Sequence, residues 1–90
     1  MHVEKIFYHP NFLRRLQRQP VEIQKRANRI EAMFRKNPMH PSIRLHPLQG
    51  HLRGAWSISV THSVRIVFSR LESGDIVFHT IGQHDIYQSL

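Results

Sequence analysis

Between Trp56 and Gly82 the chain carries three strand-like runs, the first two alternating, and few folds can accommodate them. Trp56, Ile58 and Val60 alternate with Ser57 and Ser59. Val64, Ile66 and Phe68 alternate with Arg65, Val67 and Ser69. Asp75 to Gly82 is a third run, apolar enough to be a central strand. A period of two puts apolar residues on one face of a strand and small or polar residues on the other. Thr61-His62-Ser63 and Glu72-Ser73-Gly74-Asp75 read as short turns, so the three runs form an antiparallel meander.

Upstream the period changes. His2 to Tyr8 is a β-prone run that ends at His9-Pro10. Proline has no N–H for a sheet ladder, and its fixed φ suits a first helical turn, so a helix starts near Pro10. Phe12, Leu13 and Leu16 share one face of it, and Pro20 closes it and opens the next. From Val21 to Lys36, Ile23, Ala27, Ile30 and Phe34 follow at steps of four, three and four, with Met33 beside them. Glu22 in the first turn and Arg35 and Lys36 in the last suit the helix dipole, and Asn37-Pro38 ends the helix. An αα-hairpin with one apolar face needs a sheet to cover it. The order β-α-α-β-β-β therefore predicts an α+β domain, an antiparallel sheet with the two-helix hairpin packed on one face. Trp56, Ile58, Val64, Ile66 and Phe68 then face the helices, and Ser57, Ser59 and Arg65 face away on an open surface. Met39 to Gly50, with prolines in it and at its edge, reads as an irregular segment too polar for core.

Ninety residues make one domain, here 1–90. With no cysteine there is no disulfide framework and no thiol chemistry. The start, Met-His-Val-Glu-Lys, lacks the apolar run of a signal peptide, and no apolar stretch approaches the ~20 residues that span a bilayer. These features predict a soluble, cytoplasmic protein with no membrane partner. The net charge of +7 comes from ten arginines and three lysines. Arginine offers a planar fork that matches phosphate bidentately, so the bias suggests nucleic acid or an acidic protein as partner, against the plainer reading of a solvated basic surface.

One reaction suits such a surface. RNA can be cleaved without a metal if the 2′-oxygen loses a proton, the 5′-oxygen gains one, and a cation stabilises the phosphorane between them. Histidine serves as base or acid near neutral pH, and arginine suits the developing charge. The candidates are His46, His51, His62 and His84, with Arg53 and Arg65, in a segment that has no carboxylate between Glu31 and Glu72. Arg65 is the most informative, because a charge inside an apolar run must emerge on a used face. A single histidine among eight is more often an idle surface group. A zinc site from His46, His51 and His62 lacks cysteine, helical His spacing and any carboxylate support except Asp85, so no metal and no cofactor is expected. Trp56 reads as a core anchor rather than a stacking platform.

Three stretches carry a resemblance: His46-Pro-Leu-x-Gly50-x-Leu-x-Gly54-x-Trp56-Ser57, Val64-Arg65-Ile-Val-Phe68, and Ile81-Gly82-x-His84-Asp85-x-x-Tyr87. Together they resemble the RelE/ParE toxin superfamily of bacterial type II toxin–antitoxin systems, most closely its RelE/StbE and YafQ-like branch. The resemblance covers nearly the whole chain, and the C-terminal half is its specific part. It implies a compact α+β ribonuclease fold and a metal-independent endoribonuclease, an mRNA interferase that cuts mRNA in the ribosomal A site and inhibits translation. It implies mRNA, the ribosome and an acidic antitoxin protein as partners. Carried over by motif, Arg65 would hold and stabilise the phosphate, His84 would be the leading acid or base, and His46 its counterpart. Tyr87 would stack on a base or bind substrate, with His51, Arg53 and His62 as further substrate-binding candidates. The chain departs from the family at Ser57 through Ser63, where some members carry lysines, or a His and an Asp; here His62 alone is ionisable. That implies weak activity, or a role shared between His46 and His84. Two other readings stay open: a ParE-like inhibitor of DNA gyrase, whose C-terminal region normally lacks the Gly-x-His match, and a non-catalytic module that binds RNA or antitoxin.

Overall fold

A computed structural model describes residues 1–88. Strand β1 (Ile6–Tyr8) leads into helix α1 (Pro10–Arg18), where His9 Nδ1 accepts from the Asn11 N–H at 3.0 Å and Pro10 fills the first helical position. Helix α2 (Val21–Lys36) follows, its first turn closed by bonds from the Ile23 and Gln24 N–H groups to the Pro20 carbonyl. Strand β2 (His46–Pro47) comes next, then β3 (Ala55–Ser59), β4 (Arg65–Arg70) and β5 (Ile76–Gly82). A 3-10 turn, His84–Gln88, ends the described chain.

The strands form one sheet in the order β1-β5-β4-β3-β2. The meander of β3, β4 and β5 is antiparallel, as the alternating runs require. The sheet has five strands, two features of which the sequence pattern did not show. The first run is a strand only over Ile6–Tyr8, and it pairs in parallel with β5 because the helical hairpin carries the chain across the sheet before the meander begins. The segment read as irregular contributes β2, in antiparallel register with β3 through His46↔Ser57 and Pro47↔Trp56. That segment also belongs to the core: Ile43 is fully buried at the end of a 3-10 turn, Pro41–Ile43.

The core lies between the helices and one sheet face. Phe34 packs on Phe68 with ring centroids 5.1 Å apart, Phe12 on Phe78 at 5.3 Å, and Ile58, Ile66 and Ile81 are buried beside them. Trp56 is half-buried and packs against this cluster, which suits an anchor. Leu13 does not join Phe12 and Leu16; it stays exposed, since one step along a helix turns a side chain about 100° away. The Tyr8 hydroxyl bonds to the Glu31 carboxylate, which Arg35 also holds at 3.1 Å, and this ties β1 to α2.

The second sheet face is not the open surface that the alternation suggested. Its rows are His46–Ser57–Val67–Thr80 and Ser59–Arg65–Gly82. Ser57, Ser59, Val67 and Thr80 are all buried. The segment after β2 lies beside Val67, Ile86 of the His84–Gln88 turn packs on Gly82, and the two segments meet where His51 Nε2 donates to the Tyr87 carbonyl at 3.3 Å. Periodicity could not show this, because both segments are irregular.

On this face β4 and β5 break register at Val67/Phe68, beside His79. The His79 Nε2 lies 2.7 Å from Ser69 Oγ. Burial, and then the neighbouring His9, push the His79 pKa below its ordinary value. The folded protein therefore favours neutral His79, while the unfolded chain takes up a proton near pH ~6.5. Stability should be flat above that value, fall as pH drops through the window down to the folded pKa, and level off below it. Melting temperatures of the parent and His79→Gln, measured from pH 7.5 to 5, should converge as pH falls. Parallel curves would show that His79 makes no such contribution.

Candidate active site

Arg65 is positioned by a tight turn. The Thr61 Oγ1 accepts from the N–H groups of Ser63 at 3.3 Å and Val64 at 3.0 Å, and the Val60 N–H donates to the Val64 carbonyl at 2.8 Å. The chain thus enters β4 at Arg65, opposite Ser59 on β3 and Gly82 on β5. Arg65 is half-buried, and among the described residues it has no carboxylate partner: the ion pairs there are His2–Glu4, Arg15–Asp85 and Arg35–Glu31.

His46 stands on β2, two strands from Arg65, where adjacent strands lie ~4.8 Å apart. His84 opens the turn that follows Gly82, and its ring meets Tyr87 edge-on at 5.6 Å. These residues converge. Arg44, Leu45, His46, Leu48, Arg65, His84 and Tyr87 line one open cleft of about 510 Å³. Three residues expected to act together, His46, Arg65 and His84, thus share a wall with Tyr87. His51 and Arg53 line a neighbouring groove of about 400 Å³ with Val67, Ser69 and His79. His62 lies apart from both, in a smaller cleft beside Arg26 and Arg44. Among the described residues, no three His, Asp or Glu side chains are grouped so as to hold a metal ion, and no helix is long and apolar enough to cross a membrane.

Arg44 is the residue that sequence reasoning missed. It sits in the left-handed region, at φ 48° and ψ 56°, where a non-glycine residue costs on the order of 1–3 kcal/mol. Nothing in Ser42-Ile43-Arg44-Leu45 signals that turn, since no glycine or asparagine marks it. The available signal was charge: Arg44 is another arginine in the carboxylate-free stretch.

No family model matches the sequence, and no curated protein does. Solved structures do match, over nearly the whole chain. The YoeB/ParE toxin from Agrobacterium tumefaciens superposes with a TM-score of 0.75 at 20% identity, covering 90% of this chain and 99% of that one. YafQ from E. coli gives 0.75 at 17% identity, over 93% and 97%. The toxin–antitoxin complex RelBE2 from Mycobacterium tuberculosis gives 0.68 at 17%, over 89% and 96%. The fold is that of the RelE-like toxins.

Within this RelE-like fold, Gly82 ties the last turn to the sheet. A Cβ there would overlap Ile86 Cγ2 and stand 3.0 Å from an Arg15 guanidinium nitrogen. Ile86 is fully buried, so it cannot yield without moving the turn that carries His84 and Tyr87. Gly82→Ala should therefore displace that turn by overpacking, at a cost of about 1–3 kcal/mol. The expected result is a folded variant with displaced His84 and Tyr87 resonances. Unchanged resonances for both would show that the contact does not position the turn.

The chemistry open to the larger cleft follows from its walls. Two guanidinium groups, Arg44 and Arg65, can bind an anion bidentately, two imidazoles can exchange protons with it, and Tyr87 offers an aromatic face.

Proposed function

We propose that this chain is the toxin of a type II toxin–antitoxin pair, an endoribonuclease that cleaves mRNA in the ribosomal A site and so inhibits translation. The observation that carries this reading is the convergence of His46, Arg65 and His84, with Arg44, on one open cleft. The RelE-like fold supports it, as does the likeness to a structure described as a toxin–antitoxin complex. Cognate antitoxin, an acidic protein, would offset the chain's excess positive charge.

In this mechanism the scissile phosphate sits against Arg65. One imidazole of the pair His46 and His84 takes the proton from the 2′-hydroxyl as its oxygen attacks phosphorus. The bond from phosphorus to the 5′-oxygen breaks, and the other imidazole gives that oxygen a proton. The products are a 2′,3′-cyclic phosphate and a 5′-hydroxyl. Arg65, always charged and bidentate, binds the phosphorane more strongly than the ground-state diester, and that difference is what accelerates the step. Tyr87 holds a neighbouring base by its ring. The acid–base work falls to side chains, so this reading needs no metal.

The test is a purified translation system programmed with a defined mRNA. Adding the protein should truncate the message at ribosome-bound sites and leave 2′,3′-cyclic phosphate ends. Intact mRNA, or 3′-hydroxyl ends, would contradict the mechanism.

A further inference from the structure

A smaller cleft of about 170 Å³ lies beside the β3–β4 turn, lined by Arg26, Ser42, Arg44, Ser59, Thr61 and His62. No carboxylate lines it, and neither arginine has a carboxylate partner among the described residues. The Arg26 Nε donates to the Val60 carbonyl at 2.5 Å, which anchors that guanidinium at the wall across the gap from α2. Ser59, only 6% exposed, forms part of the floor beneath these groups. The cleft therefore presents two guanidinium groups and an imidazole with no acidic group to compensate them, a setting that suits a phosphate oxyanion.

This cleft adjoins the larger one through two features. Arg44 lines both. Ser59, in the small cleft, sits directly opposite Arg65, in the large one, across the β3–β4 pair. An anion in each would thus share Arg44 and stand on neighbouring parts of one sheet row. A nucleic-acid strand presents such anions at regular spacing, and contacts to its phosphates fix register rather than sequence.

We propose that the small cleft binds a second phosphodiester group of the same RNA strand, next to the one held at Arg65, with Arg44 between them. The identity of the strand rests on the ribonuclease reading above. The site's role is to set which phosphate falls between His46 and His84.

The experiment uses oligonucleotides methylated on their 2′-oxygens, which cannot be cut by 2′-oxygen attack. A dinucleoside monophosphate carries one phosphodiester and a trinucleoside diphosphate carries two. Affinity is measured for each over a salt series with the whole protein. The parent should bind the longer ligand with a log–log salt slope steeper by about 0.7, the increment for one more neutralised phosphate on a single strand. Arg26→Gln should flatten that slope toward the one-phosphate value, and His62→Ala should weaken binding of the longer ligand more than of the shorter one. The Ser59 amide should shift with the longer ligand only. Equal slopes for the two ligands in the parent, or an unaltered slope in Arg26→Gln at parental melting temperature, would overturn the proposal. So would a slope change that shows only with ribosomes, since the phosphate would then belong to ribosomal RNA. If the parent gives the predicted slopes but leaves mRNA intact on translating ribosomes, the ribonuclease reading fails and the second phosphate site stands.

Discussion

Arg65→Ala should cut mRNA about 10²–10³ times more slowly than the parent, a loss of roughly 2.7–4 kcal/mol of transition-state stabilisation. The side chain emerges at the start of β4, half-buried, with Ser59 and Gly82 as cross-strand partners. No carboxylate competes for it among the described residues, so its fork of donors is available to a phosphate. Alanine removes that fork without touching the helical side of the sheet, where the core lies. The melting temperature should therefore change little while the rate collapses. Arg65→Lys separates charge from shape: it keeps a cation but offers a single point of contact, so it should recover only part of the rate. Single-turnover cleavage on ribosomes measures both variants. A rate for Arg65→Ala within a factor of about three of the parent would remove Arg65 from the mechanism.

The second large effect is on stability. Phe34→Ala should destabilise the protein by about 3–5 kcal/mol, the usual cost of deleting a buried aromatic ring. Phe34 is fully buried, and its ring meets Phe68 at 5.1 Å and Phe78 at 6.1 Å. Through this ring α2 packs on both β4 and β5. Deleting it leaves a gap bounded by two rigid strands of the same sheet, which have little freedom to close in. Small domains hold only about 5–15 kcal/mol in total, so the variant should sit near the edge of unfolding. Urea titration gives the number directly. A loss below about 1 kcal/mol would mean that the sheet and helices are joined chiefly elsewhere.

The residues explain what could be read ahead of the structure. The stripe Ile23, Ala27, Ile30 and Phe34 and the alternation from Trp56 to Phe68 each bury one face, and burial is what periodicity reports. The helical hairpin and the antiparallel meander followed from those two patterns. The parallel docking of β1 did not, because Ile6 to Tyr8 is three residues long and its partner lies far along the chain. Ser57 and Ser59 were misplaced on an open face for a different reason. They look like surface residues, yet they are buried, and the irregular segments on that face have no period. Of the site, Arg65 was legible as a charge inside an apolar run, and His46 and His84 through motif resemblance. Their convergence with Tyr87 depends on β2 and the last turn, which only the folded chain shows. Arg44 was hidden because its position rests on a left-handed turn without glycine, and the separation of His62 because Arg44 lies between the two clefts.

The most direct test is to induce this chain without antitoxin in growing cells and map the 3′ ends of an abundant mRNA by primer extension. The account predicts new ends inside the coding region, in register with codons, that vanish in Arg65→Ala. Growth arrest with intact mRNA would contradict it and point to a target other than RNA.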